Sequence, residues 1–130
     1  MSYSIYLHDK ESESSVFDID ITYNYYDYFE QATYGDERFA YKNYENKISY
    51  GIRGLYGKTA FEAIPMLIDA IVRLYNKYTF YGCEKSERYN EWDTRDGYEQ
   101  NAGNVLKALT TLLHASINYA RSDNYVWDGD

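Results

Sequence analysis

The sequence has one cysteine, Cys83, one proline, Pro65, and two histidines, His8 and His114. A lone cysteine excludes an internal disulfide framework and a cysteine-rich zinc site, and it fits a reducing compartment. His8, Cys83 and His114 are isolated from one another, so no spacing suits a transition metal. No metal or other cofactor is expected. Long apolar runs are missing too. No stretch approaches the roughly 18 apolar residues that a membrane helix needs, so no membrane partner is expected. The start, Met1-Ser2-Tyr3-Ser4, has no basic end followed by an apolar run. No secretory signal is therefore expected, and the cytoplasm is the expected location. Positive charge is also scarce: 13 Lys and Arg face 21 Asp and Glu, a net charge of -8. That balance argues against wrapping nucleic acid by phosphate neutralisation. It leaves open a protein partner that itself binds nucleic acid.

What the chain has instead is tyrosine, 18 in 130 residues. Nine of them lie between Tyr23 and Tyr56. The acid excess is equally local. Residues 1–40 hold nine acids and two bases, a balance of -7, and residues 41–130 hold twelve acids and eleven bases, a balance of -1. An acidic, tyrosine-rich front is joined to a nearly neutral back.

Tyr3 to Leu7 is short, aromatic and β-branched, which predicts a strand. Phe17, Ile19, Ile21 and Tyr23 alternate with Asp18, Asp20, Thr22 and Asn24, the period of a half-buried strand. Asp18 and Asp20 should share its wet face. The polar run His8 to Ser15 between the two predicts an antiparallel hairpin. Residues 25–46 fit either a continued strand or a short helix, with a turn at Gly35-Asp36 and a strand hint at Phe39 and Tyr41. Ile48, Ile52 and Leu55 have helical spacing that ends at Gly57. Thr59 and Glu62 form a capping box, the start signal of a helix. Pro65 predicts a kink or a restart in that helix. Ile64, Leu67, Ile68, Ile71, Leu74, Tyr75 and Tyr78 make its apolar stripe.

Residues 82–101 read as a polar loop, long enough to be functional or mobile, with Trp92 its one large apolar group. A last helix is expected over 102–121, with Val105, Leu106, Leu109, Leu112, Leu113, Ile117 and Ala120 facing inward and His114 at the core edge. A tail follows, in which Val126 and Trp127 would gain by docking on the core. The sum is an α+β fold of one domain: a small antiparallel sheet packed against two long helices of the C-terminal half. Its parts are an acidic, tyrosine-rich β part over 1–46, a helical part over 47–121 and a tail over 122–130.

Catalytic motifs are absent. Gly57-Lys58-Thr59 has the end of a phosphate-binding loop, but the first glycine should stand at 52, which is Ile52. Glu91 to Gly97 lacks the acidic alternation of a calcium loop. Nothing local pairs a nucleophile with a base, and no enzyme is expected. Two binding surfaces remain. The first combines Asp18, Asp20, Asp27, Glu30, Asp36 and Glu37 with Tyr23, Tyr25, Tyr26, Tyr28 and Tyr34. Carboxylates stand where phosphates would stand, and tyrosines give rigid contact area, so this face would imitate nucleic acid to a basic groove. The second is of opposite kind. Arg53, Lys58, Arg88 and Arg95 with Tyr56, Trp92, Asn104 and Trp127 would suit a small nucleotide, aided by free amides at the start of the last helix.

Ile5 to Asp9, Thr22-Tyr23-Asn24-Tyr25, Gly51-Ile52-Arg53, Leu55 to Thr59, Ile64-Pro65, Gly103-Asn104 and the closing Trp127-Asp128-Gly129-Asp130 carry a resemblance. The chain resembles a family of small phage- and prophage-encoded accessory proteins of unassigned activity, which has a shorter segment in place of Tyr26 to Asn46. The resemblance implies an accessory protein acting against a bacterial defence, and implies no catalytic residues. The leading expectation is thus a non-enzymatic, anti-CRISPR-like inhibitor of a host defence protein with a basic groove, acting in the bacterial cytoplasm. The alternatives are an oligomeric sponge for a cyclic or ADP-ribose-type nucleotide signal, and an accessory role in virion structure or assembly.

Overall fold

The two alternating segments form strands, β1 over Ser2–Asp9 and β2 over Ser14–Thr22, paired antiparallel. The computed structural model describes residues 1–79 and 90–130, so Cys83 and Arg88 lie outside the described residues. The register sets Ser4 opposite Asp20 and Tyr6 opposite Asp18, and it slips by one residue after Leu7. The strands reach further into the polar run than its composition suggests and leave only residues 10–13 to turn.

The ambiguous segment after β2 is helical. Thr22 caps a short 3-10 turn, Tyr23–Tyr25, which leads into α1, Tyr26–Thr33. A small hairpin follows, β3 over Ala40–Lys42 and β4 over Ile48–Tyr50. Here the structure corrects the helical reading of Ile48, Ile52 and Leu55. Ile48 opens β4, and Ile52–Leu55 is a single 3-10 turn. Gly54 explains the tightness of that turn, because a Cβ there would overlap the backbone of Phe39.

The capping box is formed. The Thr59 amide donates to Glu62 at 3.0 Å, and the Glu62 amide donates to Thr59 Oγ1 at 3.1 Å. It starts α2, which runs through Ala60–Thr79 as one helix with Pro65 inside, so the helix does not restart at Pro65. Pro65 is on the exposed side, where water can take the carbonyl that it cannot pair. The last helix, α3, spans Ala102–Asn118. None of the described helices is long and apolar enough to cross a membrane.

Both predicted stripes hold in part: Leu67 and Leu74 of α2 and Val105, Leu109 and Leu112 of α3 are buried, with Ile71, Tyr78 and Leu113 packed against the core, but each buried face is shifted towards small residues. Ala63, Met66, Leu67, Ala70 and Leu74 of α2 are buried, whereas Ile68 and Tyr75 are exposed together with Phe61 and Val72. On α3, Val105, Ala108, Leu109, Leu112, Ala115 and Ser116 face inward, and Ile117 and His114 face water.

The tail is not a docked appendage. Tyr125–Gly129 is a strand, β5, that pairs antiparallel with β1 and completes a sheet of order β2-β1-β5. Backbone bonds also join Trp127 to Gly57 and Lys58 on its other side, at 2.8 and 2.9 Å. One core holds the parts together: Ile5, Leu7 and Ile21 from the sheet, Phe29 from α1, Leu67 and Leu74 from α2, Leu109 and Leu112 from α3, and Trp127. The fold is α+β, a small antiparallel sheet covered by helices, as its alternation and helical stripes predict.

Candidate interaction surface

Alternation along β1, β2 and β5 sends Tyr3, Ile5, Leu7, Ile21 and Trp127 into the core. The opposite face carries Ser4 and Tyr6 in the middle strand. Directly cross-strand residues share a face, so the pairing dictates what stands beside them. Tyr6 lies between Asp18 on β2 and Asp128 on β5. Ser4 lies between Asp20, which accepts its hydroxyl at 2.8 Å, and Asp130, which accepts its amide at 3.0 Å. Four carboxylates thus stand in two cross-strand rows: Asp18 and Asp128 flank Tyr6 on the outer face, and Asp20 and Asp130 flank Ser4, with Asp130 turned towards the Ser4 amide at the end of the sheet; all four residues are exposed. Strands lie about 4.8 Å apart and alternate residues about 6.7 Å apart. The Cα atoms of the two rows are therefore about 7 Å apart, and those of Asp18 and Asp128 about 10 Å apart across the middle strand.

The remaining members of the expected acidic face divide. Tyr23, Tyr26 and Asp27 line a shallow cavity of about 490 Å³ together with Tyr98 and Glu99. The Tyr23 ring leans on Tyr3 at 5.0 Å. Glu30 is half-buried on α1. Tyr25 and Tyr28 point inward. The Tyr25 hydroxyl donates to the Gly97 carbonyl. That of Tyr28 donates to Glu91 at 2.6 Å, and its ring stacks on Tyr78 at 5.2 Å. Burial pushes both phenols upward, helped by Asp96 for Tyr25 and by the Glu91 hydrogen bond for Tyr28. Tyr25 is buried and Tyr28 half-buried, and the bonds and ring contacts of both tie them into the fold.

The second expected surface does not converge. Trp127 is fully buried, and its Nε1 donates to Ser116 Oγ at 3.0 Å. Asn104 is buried and donates to the carbonyls of Asp96 and Glu99, both at 2.8 Å. Arg95 is paired with Asp93 at 2.8 Å. Trp92 is half-buried, with its ring 5.8 Å from Tyr75. Arg53, Tyr56 and Lys58 belong to another region, beside β5. Tyr56 lies against Gly129, and burial pushes its hydroxyl up to about 12. The start of α3 is not open to an anion either. Asn101 Oδ1 accepts the Asn104 amide at 2.9 Å, and Glu91 accepts the Ala102 amide at 3.0 Å. The protein's own carboxylate already takes that place. Residues 90–101 are tied down by these bonds, by Asn101 to the carbonyls of Asn90 and Asp93, and by Asn24 to that of Tyr98.

Sequence reasoning missed Tyr6, Tyr98, Glu99, Asp128 and Asp130. A signal existed for the last two: Asp128 and Asp130 stand two residues apart beside the large apolar Trp127, the same acid spacing as Asp18 and Asp20 in β2. No protein-family model matches the chain, and neither a curated protein nor a solved structure is detectably similar to it.

Proposed function

We propose that the protein is a non-enzymatic phage counter-defence inhibitor that occupies the basic nucleic-acid groove of a bacterial defence complex in the host cytoplasm. The observation that carries this reading is the outer face of the sheet, where Asp18, Asp20 and Asp128 flank Tyr6 and Ser4, with Asp130 at its end. A rigid sheet fixes the carboxylates before the partner arrives, so little ordering cost falls on binding. A field of one sign speeds encounter with a basic groove and weakens with salt. Tyrosine between the rows supplies flat contact area.

The test is capture from bacterial lysate at low salt, with quantitative mass spectrometry, using the wild-type chain and the triple variant Asp18→Lys, Asp20→Lys, Asp128→Lys. The expected partner is a nucleic-acid-binding protein that added RNA or DNA displaces. Its recovery should fall at least roughly tenfold in the variant, given that close charge pairs contribute about 1.5 kcal/mol or more each. All three positions are exposed, so circular dichroism should show the variant folded. Undiminished capture by a folded variant refutes the proposal.

A further inference from the structure

A cavity of about 630 Å³ lies between the start of α1, the β3–β4 hairpin and the end of the chain. That volume is in the range of small-molecule sites, roughly 300–1,000 Å³. Its walls are aromatic: Tyr26 is 47% exposed and Tyr44 97% exposed, and Tyr41 stands between them in sequence, half-buried. A narrower cleft shares Tyr26, Tyr41 and Arg53 with it and is lined further by Tyr3, Phe29 and Ile52. The hairpin wall is fixed by Asn43. Its Oδ1 accepts the amides of Glu45 and Lys47 at 2.9 and 3.1 Å, and its Nδ2 donates to Ser49 at 2.9 Å.

The charges in the cavity are not equivalent. Two acids line it, and both are engaged. Glu45 is paired with Lys47 at 3.6 Å, and Asp130 accepts the Ser4 amide. Two cations line it, Lys42 and Arg53. Neither makes an ion pair among the described residues. The Arg53 guanidinium is nonetheless positioned: it lies over the Tyr3 ring at 4.6 Å, and its Nε donates to the Asp130 carbonyl at 3.4 Å. Its terminal NH₂ groups are left for a ligand. A guanidinium held in place with free donors suits a phosphate, which it can grip with two parallel bonds. Exposed tyrosine rings suit a planar base.

From this arrangement we infer a second binding site, separate from the acidic face, that takes a mononucleotide-class ligand: a heteroaromatic ring stacked on Tyr26 or Tyr44 and a phosphate held by Arg53 and Lys42. The site uses Arg53 alone of the residues first grouped for a nucleotide. The site adjoins the carboxylate rows at Asp130, but it does not depend on the inhibitor reading, because Lys42 and Tyr44, the residues that its test changes, belong neither to those rows nor to the expected acidic face.

Calorimetry on the full chain with AMP, GMP, CMP and UMP, and with adenosine and inorganic phosphate separately, tests this. At least one mononucleotide should bind saturably. Adenosine and phosphate alone should each bind roughly tenfold more weakly, because each makes only one half of the contacts. Arg53→Gln should weaken the nucleotide roughly tenfold or more. If that variant loses its fold, Lys42→Ala with Tyr44→Ala serves instead. Both side chains are exposed, so melting should be unchanged while affinity falls roughly fivefold or more from the lost Lys42 contact to phosphate. Absence of saturable binding by all four mononucleotides at millimolar concentration overturns the inference. So does unchanged affinity in the double variant. That variant keeps all four carboxylates, so intact partner capture alongside failed nucleotide binding overturns this site and leaves the inhibitor reading standing.

Discussion

The acidic face is complete only if β5 is seated beside β1, and the Trp127 indole is the most direct probe of that seating. The indole is fully buried, meets Phe17 edge-on at 6.0 Å, and donates to Ser116 Oγ at 3.0 Å. Ser116 itself donates to the Leu112 carbonyl at 2.8 Å. The two ends of this bond are therefore unequal. Ser116→Ala leaves a buried indole N–H without a partner, at a cost of about 1–3 kcal/mol. Trp127→Phe orphans nothing, since Ser116 keeps its bond to Leu112, but it opens a void and costs about 2 kcal/mol. The double variant has no indole N–H to orphan. Its cost should fall short of the sum of the singles by about 1 kcal/mol. The better helix propensity of alanine, about 0.5 kcal/mol, enters the single and the double alike and cancels. For a chain of this length 1 kcal/mol corresponds to roughly 4 °C in Tm. Urea unfolding followed by far-UV circular dichroism measures all four proteins without relying on tryptophan emission. Costs that add to within about 0.4 kcal/mol would mean that the bond is not made. β5 would then not be seated as described, and Asp128 and Asp130 would not stand in the carboxylate rows.

Two further outcomes concern stability. Asp36 is nearly buried, accepts hydrogen bonds from Arg38 at 2.6 and 2.9 Å and is paired with Arg73 at 3.2 Å. Arg38 above all holds its carboxyl down at about 2, against 3.8 when free. A folded value below the unfolded one gives stability that is present above about pH 4 and lost as pH falls towards 2. Asp36→Asn should cost about 2 kcal/mol at neutral pH, and the difference in urea midpoint should close between pH 4 and pH 2; a gap that stays constant with pH would refute the assignment. Gly54→Ala places a Cβ into the Phe39 backbone, which cannot yield as a flexible side chain would. It should cost about 3 kcal/mol or more, and a melting temperature within a few degrees of wild type would contradict the turn geometry.

Local periodicity was a good guide wherever a segment takes its structure from itself. The alternation in β2 placed Asp18 and Asp20 on the wet face, and the Thr59–Glu62 reciprocity marked the first turn of α2. It failed at Ile48, Ile52 and Leu55, where spacings of four and three fit a helix but the chain makes a strand and a tight turn. Gly51 and Gly54 stand within that run, and glycine is a poor helix residue, so the composition already opposed the period. It failed again in the choice of buried face on α2. Ranking by size puts Ile68 and Tyr75 inside. Close approach of neighbouring helices instead favours small residues, and Ala63 and Ala70 take the contact. The displaced large side chains face water.

The acid balance shows a deeper limit. Summed along the chain, the excess belongs to residues 1–40, and the face was expected there. Folding brings the last residues against the first. Asp128 pairs across from Tyr6, and Asp130 exchanges two bonds with Ser4, whose amide and carbonyl it meets at 3.0 and 3.1 Å. Two of the four carboxylates therefore come from the end of the chain that looked nearly neutral, and no window along the sequence contains all four. The pairing that unites them spans most of the chain, and its cause is the burial of Trp127 rather than any preference of the acids. The charged face follows from the apolar one: β5 docks to hide an indole, and alternation then turns Asp128 outward beside Tyr6. A substitution that unseats the indole should accordingly weaken partner capture without touching a single carboxylate.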